Sequence, residues 1–139
     1  MKQRAFTIVE LLIVVVIIGV LASVAVPSFT AARNRTITKE GLAIMSILIN
    51  GVKMKNIETG DGVTCSDRAD CVSVLGISIP NSVSWTISNV MGVSATLTAN
   101  QGLILKWVGV RGVNYITCSQ PEKCGCAKWD TNNMTCIEH

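Results

Sequence analysis

Apolar side chains run almost without interruption from Phe6 to Val26, and the single charge inside the run is Glu10. A helix rises about 1.5 Å per residue, so this run reaches across the roughly 30 Å hydrocarbon layer of a bilayer. In lipid the helix is forced, because each backbone amide must find its partner within the segment. Gly19 and Pro27 are its weak points. Glycine raises backbone freedom and proline removes an amide donor, so a kink or local melting is expected between them.

After Phe29 the pattern changes to an amphipathic one. Ile37, Gly41, Ile44, Met45, Leu48 and Val52 recur at spacings of three and four, which places them on one helical face and turns Lys39, Asn50 and Lys53 elsewhere. The spacing predicts that the helix continues out of the membrane and ends between Asn56 and Thr59, with Gly60-Asp61-Gly62 as the stop and Asn50-Gly51 as an earlier soft spot.

Beyond residue 72 the period shortens. Runs of alternating or β-branched residues at Ser82–Val90, Ser94–Ala99, Leu103–Val108 and Asn114–Cys118 are separated by Met91-Gly92, Asn100-Gln101-Gly102 and Arg111-Gly112. This pattern predicts consecutive antiparallel strands, which need a cover that the Ile37–Val52 stripe supplies. From Ser119 to His139 periodicity fades and a terminal loop is expected. The fold class is therefore α+β: a long N-terminal helix, half membrane-spanning and half amphipathic, packed on a small antiparallel sheet with a stapled C-terminal loop.

Six cysteines, Cys65, Cys71, Cys118, Cys124, Cys126 and Cys136, all follow the apolar segment. Lys2 and Arg4 flank that segment on its amino side, and the positive-inside rule keeps this end cytoplasmic and sends the rest outward, where disulfides form. Fifteen pairings are open. Cys65 and Cys71 are close enough to shut a short loop, leaving the other four to staple the tail. Zinc held by Cys118, Cys124, Cys126 and Cys136 is the alternative, but the spacing is not of the usual Cys-x2-Cys kind. Asp61, Asp67 and Asp70 match no calcium loop and read as a solvated loop. Trp85 and Trp107 fall in strands and read as core, whereas Trp129 in the tail is the candidate for an exposed contact.

The 139 residues carry a formal charge of +3, which becomes +1 without Lys2 and Arg4, so nothing in the charge supports nucleic acid as a partner. The one histidine is His139, and neither a nucleophile motif nor a phosphate-cradling loop is present. No catalysis, cofactor or metal is expected.

The leader Met1-Lys2-Gln3-Arg4-Ala5 ends on a small residue directly before an aromatic one. Cutting after Ala5 creates a charged amine at Phe6, four residues before Glu10, whose carboxylate on one subunit can neutralise the amine of another. An acid inside hydrocarbon is costly and marks a functional site. Phe6-Thr-Ile-Val-Glu10-Leu-Leu with the later Pro27 resembles the amino-terminal signature of type IV pilins and the related pseudopilins of type II secretion, over about residues 1 to 35. The family usually carries glycine where this chain has Ala5.

The resemblance implies a leader at 1–5 removed by a prepilin peptidase, N-methylation of Phe6, an assembly helix at 6–29, and a pilin head at 30–139. It implies a subunit inserted in the bacterial inner membrane with its head in the periplasm. Membrane machinery would then extract it into an extracellular helical filament of copies of itself or other pilins, in which Glu10 pairs with a neighbour's Phe6 amine. Two rivals share the helix: a type II secretion pseudopilin, and a membrane-tethered, disulfide-rich binding module that has no need of Glu10. An ordinary signal peptide cut near Ala22-Ser-Val-Ala25 is opposed by Glu10 and by the length of the run.

Overall fold

The structure, a computed structural model, describes residues 6–60, 62–110 and 113–138. The chain divides into two compact units, Met1–Arg33 and Asn34–His139, with the division falling inside helix α1 (Ile8–Thr59).

In the first unit α1 is apolar and exposed along its described length, and by length and composition it can cross a membrane. The helix is unbroken through Gly19 and Pro27, so local melting is absent from the isolated subunit. Its hydroxyls turn back on their own backbone. Ser23 Oγ donates to the Val20 carbonyl at 2.7 Å, Ser28 Oγ to the Val24 and Ala25 carbonyls at 3.0 Å each, and Thr30 Oγ1 to the Pro27 carbonyl at 2.8 Å. Such back-bonding hides side-chain donors that lipid would leave unsatisfied.

In the second unit the expected stripe is the buried face. Ile37, Gly41, Ile44, Met45, Leu48 and Val52 are all buried, joined by Thr38, Leu42, Ile49 and Gly51. Trp85 fastens this face to the sheet by donating Nε1–H to the Ile37 carbonyl at 2.7 Å, a buried bond. Gly41 allows the close approach: a Cβ there would lie 2.6 Å from the Trp85 ring and 2.8 Å from Leu105. Gly51, a soft spot in the sequence, is a contact surface, because a Cβ would lie 2.6 Å from Ile77. Gly41→Ala should therefore destabilise the head by up to about 2 kcal/mol. The helix gains roughly 1 kcal/mol in propensity, but overpacking costs about 1–3 kcal/mol and the tethered indole cannot swing away. Gly19→Ala, with nothing within 4 Å, should leave the melting temperature of the head unchanged.

The helix ends at Thr59, where Gly60 takes φ 72° and donates its N–H to the Asn56 carbonyl at 3.0 Å. β1 (Thr64–Cys65) follows, and then an element that the sequence pattern did not predict, α2 (Arg68–Leu75). Asp67 caps it by accepting from the Asp70 N–H at 3.0 Å, while the Asp70 carboxylate accepts from the Ser66 N–H at 3.0 Å. The acidic cluster is thus helix-capping chemistry rather than a solvated loop; Asp61 lies outside the described residues.

The remaining strands are β2 (Trp85–Met91), β3 (Ser94–Ala99), β4 (Ile104–Val110), β5 (Val113–Cys118), β6 (Lys128–Asp130) and β7 (Cys136–Glu138). The seven described strands form one antiparallel sheet in sequence order. Its buried face carries Trp85, Ile87, Ala95, Leu97, Leu105, Trp107 and Ile116. β2 starts at Trp85 rather than Ser82, because Ser82 Oγ accepts from the N–H groups of Ser84 and Trp85 at 3.1 and 2.8 Å and holds that stretch as a turn. The predicted turn residues Arg111 and Gly112 lie outside the described residues.

The stapled tail is more ordered than a loop. It carries α3 (Pro121–Cys124) and extends the sheet by β6 and β7. Trp129 is only 5% exposed, paired with Ile116 on one side and Cys136 on the other, so the reading of it as an exposed contact is corrected.

Candidate assembly site

The amino end of α1 is built around Thr7 and Glu10. Glu10 Oε2 accepts from the Thr7 N–H at 3.1 Å and from Thr7 Oγ1 at 3.0 Å, and Thr7 Oγ1 accepts from the Glu10 N–H at 3.2 Å. This is a reciprocal capping box, which satisfies two of the amide donors that a helix start leaves open and sets a carboxylate where the helix dipole favours negative charge. Among the described residues Glu10 Oε1 has no partner. Phe6, 79% exposed, and Ile8, 85% exposed, stand beside it. Ala5, the residue before the expected cut, lies outside the described residues.

Thr7 is the participant that sequence reading missed. Its signal was present, since a Thr three residues before a Glu at the head of an apolar run is the capping-box pattern. Glu10 therefore has one oxygen engaged in starting the helix and another that can accept from a second donor. A cationic amine is the kind of donor that suits such an oxygen, by charge and by its multiple N–H groups.

The cysteines all belong to the second unit. Cys65 pairs with Cys71, Cys118 with Cys124 and Cys126 with Cys136, with Cα separations of 5.1, 6.6 and 5.9 Å. The pairs join neighbours in sequence and consume the four thiols on which the zinc alternative rested.

The family model of the prokaryotic N-terminal methylation motif matches residues 1–26. The type IV wide pilus major component PilA4 of Thermus thermophilus is 30% identical over 131 residues, a match spanning 88% of this chain and 98% of that protein. The type IV major fimbrial protein FimA of Dichelobacter nodosus is 40% identical over 70 residues, or 48% of this chain and 41% of FimA. The type II secretion system core protein G of Escherichia coli is 35% identical over 57 residues, covering 41% of this chain and 39% of that protein. No solved structure is matched significantly. An exposed apolar helix opening on a methylation motif, a disulfide-bonded antiparallel head and a likeness extending over nearly all of a pilus component together place the chain: it belongs to the type IV pilin family.

Proposed function

We propose that this chain is a structural subunit of a type IV pilus, held in the inner membrane by residues 6–29 and then transferred into a filament through the same helix. The observation that carries the proposal is the described part of the apolar segment Phe6–Val26, exposed throughout in the single subunit and opened by the Thr7–Glu10 cap. Exposed apolar surface on this scale needs a cover, and lipid before assembly and neighbouring helices after it are both apolar. Exchanging one for the other leaves the head at the filament surface.

In this scheme a prepilin peptidase cuts after Ala5, Phe6 is N-methylated, and the head, residues 30–139, is periplasmic before assembly and extracellular after it. Inner-membrane assembly machinery drives the transfer. Glu10 uses Oε1 for the Phe6 amine of a neighbour. Gly19 and Pro27 bracket the stretch that bends or melts on assembly, since Pro27 leaves the Ser23 carbonyl without its helical N–H partner. Repeating one heterologous contact gives an open helical fibre. The pseudopilin reading is supported by the likeness to core protein G, but that likeness covers less than half of this chain, whereas the pilus component is matched over 88%. The tethered-module reading gives Glu10 no task. The relatives are structural components, and no catalytic step is assigned to this chain.

Intact-mass measurement of protein extracted from membranes or sheared fibres tests the processing step. The expected mass is that of a chain beginning at Phe6 and carrying one methyl group. A mature start near Val26, or retention of the leader in cells that contain the peptidase, would contradict it.

A further inference from the structure

Two triplets in the chain match the Asn-x-Thr pattern of an N-glycosylation acceptor, Asn34-Arg35-Thr36 and Asn133-Met134-Thr135. So short a pattern recurs by chance, and the conformation of each triplet separates them. Asn34 lies inside α1, where its carbonyl accepts from Thr38 Oγ1 at 2.9 Å and the regular helix fixes the backbone. Asn133 lies in the turn between β6 and β7, exposed together with Thr135, while Met134 between them packs against the core. There Asn133 Oδ1 accepts from the Thr135 N–H at 3.2 Å and from Thr135 Oγ1 at 2.6 Å. This is an Asx turn, completed by the hydroxyl two residues on that the acceptor pattern requires. The head holds the turn in place. Asp130 Oδ1 accepts from the Asn132 and Asn133 N–H groups at 2.7 and 3.4 Å, and the Asp130 carbonyl accepts from the Met134 N–H at 3.0 Å. Met134 takes φ 53°, a region that residues other than glycine seldom enter. The Cys126–Cys136 bridge closes the loop on the next residue but one.

We infer that Asn133 is a modification site, an acceptor for a saccharide delivered from a lipid-diphosphate donor, and that Asn34 is not. The inference rests on the head being exported, as in the reading above, because nucleotide sugars stay in the cytoplasm whereas lipid-linked sugars are presented outside the membrane. A carboxamide nitrogen is a poor nucleophile, since its lone pair is delocalised onto the oxygen. Two hydrogen bonds to Oδ1 favour the form that carries negative charge on that oxygen, so the Thr135 N–H and hydroxyl make the Asn133 Nδ2–H more acidic. Nδ2 itself has no hydrogen bond among the described residues. In the transfer Nδ2 gives one proton to a base of the transferase and forms a bond to the anomeric carbon. The bond from that carbon to the diphosphate oxygen breaks, and the lipid diphosphate leaves with the electron pair; nothing is oxidised or reduced. Asn34 cannot make this turn without breaking α1, so its triplet matches in sequence alone.

The test is intact-mass measurement and peptide mapping of the full chain recovered from the membrane pool and from sheared fibres of producing cells. The wild type is compared with Asn133→Gln, Thr135→Val and Thr135→Ser, and the melting temperature of each variant is recorded to confirm that the head is folded. The tryptic peptide Trp129–His139 of the wild type should carry a saccharide, localised by fragmentation to Asn133 rather than Asn132. Thr135→Ser keeps the hydroxyl and should keep the modification, whereas Asn133→Gln and Thr135→Val should lose it. The peptide holding Asn34 should be unmodified in every chain. An unmodified wild-type head, a saccharide on Asn34 or on a hydroxyl, one lost from Thr135→Ser, or one retained on Asn133 in Thr135→Val would overturn the site. Fibres built from unmodified wild type would overturn it while leaving the filament reading in place. A modified chain that never enters fibres would do the reverse.

Discussion

Replacing Cys126 and Cys136 together by serine should lower the stability of the head by about 2–5 kcal/mol, the usual loss when a native bridge is removed from a small exported domain. For a unit of this size that corresponds to a fall of roughly 10–20 °C in melting temperature. The bridge closes a loop of sequence separation 10, and loop-closure entropy alone accounts for about 2.7 kcal/mol. What it holds is slight by itself: β7 has three residues, Ile137 is exposed, and outside the strand ladder the closing bonds are Ala127 N–H to the Glu138 carbonyl at 2.8 Å and Asp130 N–H to the Thr135 carbonyl at 3.0 Å. The loss should therefore begin locally. Hydrogen exchange at the Ala127 and Asp130 amides should accelerate before that at the β3 and β4 amides, and dithiothreitol, which acts on the other two bridges as well, should lower the melting temperature of the wild type at least as far. An unchanged melting temperature with unchanged exchange would show that the tail is held by packing alone.

The elements that were legible in the sequence are those with long periods and clear stops. The apolar run and the stripe from Ile37 to Val52 each repeat often enough to fix α1, and glycines at positive φ, Gly92 and Gly102, mark the hairpins joining β2 to β3 and β3 to β4. Strands β6 and β7 were not legible because an alternation of period two cannot be recognised in three residues. Trp129 was misplaced for the same reason. Helix α2 was hidden although both its signals are present, Asp67 and Asp70 at its start and Gly76 in the left-handed conformation at its end. Two cysteines and an acidic cluster in the same short stretch suggested a stapled loop instead. Gly41 was placed on the correct face, but its reason for being glycine required knowing that the Trp85 ring sits against it. Of the candidate assembly site Glu10 was legible as a misplaced charge, whereas Thr7 was overlooked although its capping-box spacing to Glu10 was there to be read. The Cys65–Cys71 bridge was legible as a short loop, whereas the pairing among the four tail cysteines required coordinates.

The second large effect separates the two tasks assigned to Glu10. Glu10→Gln keeps a side-chain oxygen that can accept from the Thr7 N–H, since glutamine serves in capping boxes, but it removes the charge. Glu10→Ala removes both. In lipid both substitutions relieve an expensive charge, so insertion should be undiminished. In the fibre a neighbour's Phe6 amine would be left without its counter-charge in a medium that screens poorly, which is the costly way to break an ion pair. Both variants should therefore reach the membrane and fail to leave it. The most direct measurement is the ratio of sheared-fibre protein to membrane-pool protein at equal expression, compared among the wild type, Glu10→Gln and Glu10→Ala. This ratio should fall by about tenfold or more in both variants. A ratio preserved in Glu10→Gln but lost in Glu10→Ala would make Glu10 a helix cap and nothing more, and a ratio unchanged in both would contradict assembly through this residue.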